Sequence, residues 1–442
     1  MTDLKNLIKN KKAKIAVIGL GYVGLPLAVG FAEKGFSVLG LDSDKGKVGK
    51  VNKGQSYIKD ISSSDLEKVV KKRKLSATTD KKILNKVNVI IICVPTPLDK
   101  HQQPNISALE NSAKTISKFI KKNQLIILES TTYPGTTREV VLPILEKSGL
   151  KIGQDFFLVF SPERIDPGNK KYTVKNIPKV IGGITPQGSE LASLLYKSFI
   201  NKTVIVSSPE IAEMTKLLEN IFRVVNISMI DELALLCDKM KIDIWEVIKA
   251  AKTKPYGFMP FYPGPGIGGH CIKVDPFYLS WKAKEYGFYA RFIELAGQIN
   301  SQMPHYVVTK TIFALNKSKK AINGSKILIW GVSYKKDIGD TRESAAYPII
   351  HDLLRKGGKI EYFDPFVKEF KISAKGGSAS GGNKQTLKSI KYTPEILKNY
   401  DCVLILAAHS EFDYNEVAQK SAIVVDTRNA IKSRIYKNVF RL

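Results

Sequence analysis

Residues 14–42 read KIAVIGLGYVGLPLAVGFAEKGFSVLGLD. A short β-branched run at 14–19 (KIAVIG) ends in glycine, a helix-forming segment follows, and a second strand-like run (SVLGLD) closes the stretch. Strand, glycine turn, helix and strand make a β-α-β unit, whose crossover requires a parallel sheet. Within Gly19-Leu20-Gly21-Tyr22-Val23-Gly24, Gly19 permits the tight turn, Gly21 lets backbone approach a diphosphate, and Gly24 lets helix and strand pack closely. The helix N-terminus presents free N–H groups to phosphates. Such a glycine pattern alone is weak evidence. Here it coincides with its flanking strand and helix and with Asp42 at the end of the second strand. A carboxylate there accepts hydrogen bonds from ribose hydroxyls and repels a 2′-phosphate, which favours NAD over NADP.

Further strand-like runs lie at 87–95 (VNVIIICVP), 124–130 (QLIILES) and 156–162 (FFLVFSP), with helical segments between. This predicts a doubly wound sheet through about residue 200. The strands end in Val94-Pro95-Thr96-Pro97, Glu129-Ser130-Thr131 and Ser161-Pro162-Glu163. Ligands of open α/β sheets bind outside the carboxyl ends of strands, so three such ends on one edge predict a cleft. Residues 209–240 and 241–252 read as helices, followed by the loop KPYGFMPFYPGPGIGGHC and a helical segment over about 277–316 with Pro304 as a potential kink. At Lys326 the strand–turn–helix rhythm restarts, through KILIWGVSYK, KIEYFDP, DCVLILAA and SAIVVDT. The expected class is α/β: two Rossmann-like doubly wound parallel sheets joined by a central all-helical domain, divided at 1–203, 204–318 and 319–442. Residues 373–385 (SAKGGSASGGNKQ) read as a flexible loop.

A chain of 442 residues exceeds one ordinary core. Its 43% hydrophobic and 25% charged residues suit a soluble globular protein. No apolar run reaches the roughly 18 residues that span a bilayer. Basic residues precede an apolar stretch at the N-terminus, but glycines break it and no small-residue cleavage site follows. That stretch is read as the first strand and turn, with the protein expected in the cytoplasm. A net charge of +28 raises the question of nucleic acid. The lysines are spread over the whole chain without a basic block, so the reading is a lysine-rich enzyme surface facing anionic substrates, without nucleic-acid or membrane partners. Four scattered cysteines without a CxxC pair suggest neither a zinc site nor a disulfide framework, and no metal is expected.

Cys93 and Cys402 sit in strand-like runs, whereas Cys271 lies in Gly264-Pro265-Gly266-Ile267-Gly268-Gly269-His270-Cys271, with Asp275-Pro276 following. Glycines leave backbone N–H groups open to a ligand, a cysteine beside them is poised for attack, and a carboxylate four residues on can serve as base or orient water. An ordinary glycine loop with an incidental cysteine is the bland alternative. His270 is adjacent to Cys271, and adjacent side chains point apart, so it reads as structural. On the 209–240 helix, Lys216, Asn220 and Arg223 share one face amid Met214, Leu217, Leu218 and Ile221. The lysine either snorkels or aims into a site. In the last α/β segment, Tyr334-Lys335-Lys336 and Asp340-Thr341-Arg342-Glu343 flank a strand-to-helix turn, either as a diphosphate holder or as a solvated charge cluster.

Together these pieces resemble the UDP-glucose/GDP-mannose dehydrogenase family over nearly the whole chain, from Lys14 to about Arg428. The most specific stretch is FYPGPGIGGHCIKVDPFYLSWKAKEYGFYARFIELAGQIN, whose wording is similar to that of bacterial UDP-N-acetylglucosamine 6-dehydrogenases. The resemblance implies a homodimer or higher homo-oligomer through the central helix and a four-electron, NAD-dependent oxidation of C6 of a UDP-sugar for polysaccharide precursor synthesis. UDP-glucose and UDP-N-acetylmannosamine remain alternative substrates. It implies Cys271 as nucleophile, Lys216 and Asn220 (from an AExxKxxxN pattern) as stabilisers of the reacting oxygen, and Asp275 and Glu163 as groups acting on water. It places Thr131 near the nicotinamide and that water, and has Arg342 reach the cofactor. Cofactor contacts are otherwise expected from Gly19, Gly21, Tyr22, Val23, Gly24, Asp42, Pro95 and Thr96. Substrate contacts are expected from Glu163, Arg164, Lys216, Asn220, Phe261, Tyr262, Gly266, Gly268, Tyr334, Lys335 and Arg428. One departure stands out: the family's arginine upstream of the glycine loop is replaced by the neighbourhood Lys252-Thr253-Lys254-Pro255. Two competing classes remain: a basic nucleic-acid binder on a Rossmann shell, which only the charge supports, and a single-step alcohol dehydrogenase, which needs no nucleophilic cysteine.

Overall fold

In the computed structural model, residues 2–58, 61–99, 103–164, 172–373 and 384–442 are described; the side chains of Thr2, His270, Cys271, Lys273 and Lys384 are not. The chain forms two compact units, Met1–Glu219 with Phe277–Phe288, and Asn220–Pro276 with Tyr289–Leu442. The residues expected to form a central helical domain fall in both.

The first unit runs α1 (Thr2–Lys9), β1 (Lys14–Ile18), α2 (Gly24–Glu33), β2 (Ser37–Leu41), α3 (Lys45–Asn52), α4 (Ser63–Lys71), β3 (Leu75–Thr78), β4 (Val89–Ile92), α5 (Ser107–Phe119), β5 (Gln124–Leu128), α6 (Leu142–Glu146), β6 (Phe156–Phe160), β7 (Lys179–Gly183), α7 (Pro186–Tyr196) and β8 (Thr203–Val206). Its sheet has the order β3-β2-β1-β4-β5-β6-β7-β8. The pairings are parallel except β6–β7. The chain reverses direction across the sheet between β1 and β4, the switch point at which such folds bind ligands. Strands β4, β5 and β6 are buried along their whole length, as strands covered on both faces must be. The N-terminal segment read as leading directly into a strand begins instead with α1, whose Leu4 and Ile8 are 1% and 2% exposed in the core. Asp44 caps α3 by accepting from the N–H groups of Gly46 and Lys47, and Thr185 caps α7 with Pro186 in its first turn.

The 32-residue α8 (Pro209–Met240) and α10 (His270–Ala283) each contribute residues to both units. The second unit also contains α9 (Ile244–Ala251), α11 (Arg291–Lys317), β9 (Lys326–Trp330), α12 (Ala346–Arg355), β10 (Lys359–Phe363), β11 (Glu369–Ser373), β12 (Lys384–Lys388), β13 (Cys402–Ile405), α13 (Tyr414–Lys420), β14 (Val424–Asp426) and β15 (Val439–Arg441). Its sheet order, β10-β9-β13-β14-β15, is parallel throughout, with a second switch point between β9 and β13. The long helix expected over 277–316 is two helices, because Gly287 takes a left-handed conformation (φ 65°) that ends the first. The second, α11, passes through Pro304 without stopping. The Gly/Ser-rich run is flanked by the antiparallel pair β11–β12, but residues 374–383 lie outside the described part of the chain. Among the described residues no helix is long and apolar enough to cross a membrane.

Candidate active site

Each predicted site residue belongs to one of four constructions, taken in turn. The first is the β1–α2 turn. Gly19 has φ +89°, and a Cβ there would lie 2.5 Å from the Cys93 carbonyl oxygen; a Cβ on Gly24 would lie 1.9 Å from the Gly19 carbonyl oxygen. Both glycines are therefore required by close packing. A Cβ on Gly21 would meet nothing within 4 Å. The loop is thus open on the side from which a diphosphate approaches the α2 N-terminus. Tyr22 is exposed and Val23 half-buried beside it. The Asp42 carboxylate, at the end of β2, accepts from the Leu20 N–H at 2.8 Å and the Asp44 N–H at 2.9 Å, with Lys47 Nζ 3.9 Å away. It is therefore tied to the glycine turn while retaining acceptor capacity. The open turn, the helix terminus and the anchored carboxylate fit a dinucleotide.

The second construction is the row of strand ends after β4, β5 and β6. Thr96 Oγ1 donates to the Thr131 carbonyl and Ser130 Oγ to the Val94 carbonyl, both at 2.7 Å. Tyr278 Oη donates to the Thr96 carbonyl at 2.7 Å. Pro95 stays exposed on this edge. Glu129 is 1% exposed and receives hydrogen bonds from Lys179 Nζ (2.5 Å) and from Tyr196 Oη. Glu163 lies 4.0 Å from Lys179 and accepts from the Arg164 N–H, while the Arg164 guanidinium pairs with Glu219 and donates to the Pro178 carbonyl.

The third construction lies on α8 and α10. Lys216 and Asn220, one turn apart, are 7% and 5% exposed, whereas Arg223 is exposed. The predicted three-residue face is thus a buried pair plus a solvated arginine. Asn220 Nδ2 donates to Asp275 Oδ2 at 2.6 Å, and Asp275 is 4% exposed. Among the described residues no hydrogen bond or ion pair engages the Lys216 ammonium. Cys271 is not in open loop, as its glycine-rich surroundings suggest, but in the first turn of α10. Backbone N–H groups and the helix dipole at such a terminus favour a thiolate. Its side chain, and that of His270, lie outside the described atoms.

The fourth is the glycine loop 264–269 against the carboxyl edge of the second sheet. The Gly264 N–H donates to Asp231 Oδ1 (3.0 Å), the Ile267 N–H to Asn300 Oδ1 (2.5 Å), and the Gly269 N–H to the Arg342 carbonyl (3.0 Å). A Cβ on Gly268 would lie 2.6 Å from Tyr334 Cβ, and one on Gly264 2.6 Å from Arg428 Nη1. Gly266, with φ +124°, turns between them near Asn300 and Ala345. The loop therefore brings Gly266, Gly268, Tyr334 and Arg428 together. Lys335 adjoins Tyr334, and its carbonyl accepts from Ser333 Oγ at 2.9 Å. Asp337, Glu343 and Asn429 hold positive φ angles of 64°, 52° and 49° in the loops at this edge. Arg428 donates from Nε to the Leu406 carbonyl at 2.8 Å. Burial pulls it down to about 10, partly offset by Asp231 and Asp426. Arg342 forks onto Asp340 at 2.6–3.1 Å within its own turn. Phe261 packs edge-on to Phe222, and Tyr262 stacks on Trp245.

Sequence reasoning passed over two buried acids on α8. Glu213, 0% exposed, accepts from the Gly135 N–H (2.6 Å), the Thr137 N–H (2.9 Å) and Thr137 Oγ1 (2.6 Å), pinning the loop after β5. Burial pushes it up to about 7 despite those donors. Asp231, also 0% exposed, is pushed up to about 7 by burial. In sequence Asp231 is one acid among several on a helix, and Glu213 is the acid of the AExxKxxxN pattern, to which no role was given. Among the described residues no group of three metal-ligating side chains converges.

Family models match the chain in three consecutive parts: the NAD-binding domain of the UDP-glucose/GDP-mannose dehydrogenase family at residues 13–200, its central domain at 210–302, and its UDP-binding domain at 328–433. The chain belongs to the UDP-glucose/GDP-mannose dehydrogenase family. It is an NAD-dependent nucleotide-sugar dehydrogenase, an oxidoreductase. The chain is 38% identical over 410 residues to a UDP-N-acetyl-D-glucosamine 6-dehydrogenase of Pseudomonas aeruginosa, covering 91% of this chain and 92% of that one. It is 32% identical over 437 residues to a UDP-N-acetyl-D-mannosamine dehydrogenase of Methanococcus maripaludis (strain C7), covering 96% and 94%. The solved structure of a UDP-D-ManNAc dehydrogenase from Pyrococcus horikoshii superimposes with a TM-score of 0.86 at 30% identity, covering 97% of this chain and 98% of that one. In this dehydrogenase the β1–α2 turn lies in the NAD-binding match, and Tyr334, Lys335 and Arg428 lie in the UDP-binding match.

Proposed function

We propose that this dehydrogenase oxidises the C6 hydroxyl of UDP-N-acetylglucosamine to the carboxylate, in two steps at one site, for surface polysaccharide precursors. The observation that carries this reading is the buried Asn220–Asp275 hydrogen bond, which ties α8 to the helix whose first turn contains Cys271. A plain alcohol dehydrogenase has no use for a cysteine at a helix N-terminus beside a buried carboxamide–carboxylate pair. NAD, when bound, supplies the hydride acceptor for each oxidation. Lys216, buried and engaged by no other described residue, and Asn220 stabilise negative charge on the C6 oxygen. The Cys271 thiolate adds to the C6 aldehyde to give a thiohemiacetal, which on oxidation becomes a thioester. Asp275 and Glu163 then orient and deprotonate the water that releases the uronate and regenerates the thiol. The glycine loop, Phe261, Tyr262, Arg164, Tyr334, Lys335 and Arg428 hold the sugar nucleotide, and Thr131 and Arg342 border the cofactor. In this reading the chain is organised as 1–203, 204–318 and 319–442.

The choice of sugar rests on the Pseudomonas relative; the archaeal relatives support UDP-N-acetylmannosamine as the second reading. A panel of UDP- and GDP-sugars, followed by NADH absorbance, tests it. UDP-N-acetylglucosamine should turn over fastest with two NADH per sugar. Faster turnover of another sugar overturns the substrate, and one NADH per sugar overturns the two-step scheme.

We also infer a homodimer through α8. Phe222, Met229, Leu233, Leu236 and Met240 form a helical stripe, each 40–58% exposed. A run of large apolar side chains at that spacing is a surface that a partner helix covers.

A further inference from the structure

In the first unit, Lys179 on β7 is only 5% exposed, yet its ammonium has two carboxylates to serve. It donates to Glu129 Oε2 at 2.5 Å and to the Pro162 carbonyl at 3.1 Å, and it stands 4.0 Å from Glu163 Oε2. One cation is thus bonded to the end of β5 and to the Ser161-Pro162-Glu163 segment, with the Glu163 carboxylate inside ion-pair range.

We propose that Lys179 is the positioning residue for Glu163: the ammonium it shares with Glu129 fixes the charge and placement of the Glu163 carboxylate. The inference rests on reading Glu163 as a group that acts on the hydrolytic water. Among the described residues the groups facing this cluster include the Cys93 thiol after β4, Glu129 after β5, Glu163 with its neighbour Arg164 after β6, Lys179 on β7 and the Tyr196 phenol on α7. Burial raises Cys93 and Tyr196 well above their ordinary values, so both stay neutral. Burial alone would lower Lys179, but Glu129 and Glu163 outweigh it and keep it charged. The Arg164 guanidinium is engaged by Glu219. Among the described residues Lys179 is thus a cation shared by the two carboxylates, set against their mutual repulsion. Without it, the repulsion between two nearby carboxylates of low solvent access is less opposed, which disfavours ionising both.

Four variants test this in steady-state NADH formation across pH. Lys179→Met should move the acid limb of the kcat profile upward by about one pH unit or more, leave KM for NAD unchanged, and accumulate acyl-enzyme detectable by mass. Lys179→Arg should restore the wild-type limb, since the charge returns. Glu129→Gln leaves the ammonium to Glu163 alone and should move the limb downward. A purely structural lysine would give Lys179→Met reduced yield with an unmoved limb, or would make Glu129→Gln shift the same way as Lys179→Met; either outcome overturns the proposal. If Lys179→Met fails to fold, the sign of the Glu129→Gln shift decides alone. Glu163→Gln separates the two levels: full hydrolysis by that variant removes the reading of Glu163 itself, whereas impaired hydrolysis with an unmoved Lys179→Met limb removes only the role of Lys179.

Discussion

Asn220 donates from Nδ2 to Asp275 Oδ2 at 2.6 Å, and the two side chains are 5% and 4% exposed. A carboxylate this buried needs donors, and the carboxamide both satisfies it and holds it in one orientation. Asn220→Ala should therefore misplace Asp275 as well as remove a donor, lowering kcat about a hundredfold or more with KM for NAD little changed. Asp275→Asn should lower kcat similarly while preserving the thermal midpoint. Wild-type turnover in either variant would remove the pair from the chemistry.

The helix-terminal location of Cys271 leads to a sharper test. Cys271→Ser should retain sugar-nucleotide and NAD affinity but lose uronate formation by several orders of magnitude, since serine cannot supply a thiolate nucleophile. Near-normal uronate production would make the covalent scheme untenable. Cys93, Cys237 and Cys402 changed to alanine should alter stability alone.

Asp42 holds the glycine turn through the Leu20 and Asp44 N–H groups, and the proposed reading has it bind the cofactor ribose as well. Wild-type kcat/KM for NAD should exceed that for NADP by about tenfold or more, because a 2′-phosphate would meet the carboxylate without room to escape it. Asp42→Asn should narrow the ratio. Comparable values in the wild type would refute the role of Asp42 in cofactor choice.

Asp231 sets a pH dependence of stability. Its carboxyl is raised by burial from 3.8 to about 7, so the native state keeps a proton that the unfolded chain loses. Because the unfolded state binds fewer protons in that window, stability should fall as pH rises from about 3.8 to about 7 and then level off. Asp231→Asn removes the titration and can still accept from the Gly264 N–H. The melting temperature of the variant relative to wild type should rise between about pH 5 and about pH 8. A constant difference would show that Asp231 does not titrate there.

Leu233 is 40% exposed at the middle of the α8 stripe. Leu233→Glu should convert the proposed dimer to monomer in light scattering at micromolar concentration, since a carboxylate buried between two helices lacks a partner. An unaltered mass would move the interface elsewhere.

Both α/β halves were legible in the sequence because their signals are local. The strand–glycine–helix pattern of 14–42 names its own backbone geometry, and the apolar runs of β4, β5 and β6 announce strands covered on both faces. The glycine turn, Asp42 and the loop before Cys271 were found for the same reason, since each is a short stretch with an unusual composition. The 32-residue α8 was legible from its period alone. Where the signals were weak, the tertiary structure decided. Nothing in VIGG or TVIV says that β7 runs antiparallel to β6 and extends the sheet, since register and direction depend on partners far away in sequence. Nothing near Lys179 or Asp231 sets them apart from the many other charged residues of the chain, and Glu213, though the acid of the AExxKxxxN pattern, shows neither its burial nor its partners there. Their partners, Glu129, Thr137 and Gly264, lie 33 to 76 residues away. A charged side chain declares its purpose only through burial and the groups that meet it there. Those are properties of the folded core, because water screens and satisfies the same group equally well anywhere along an unfolded chain.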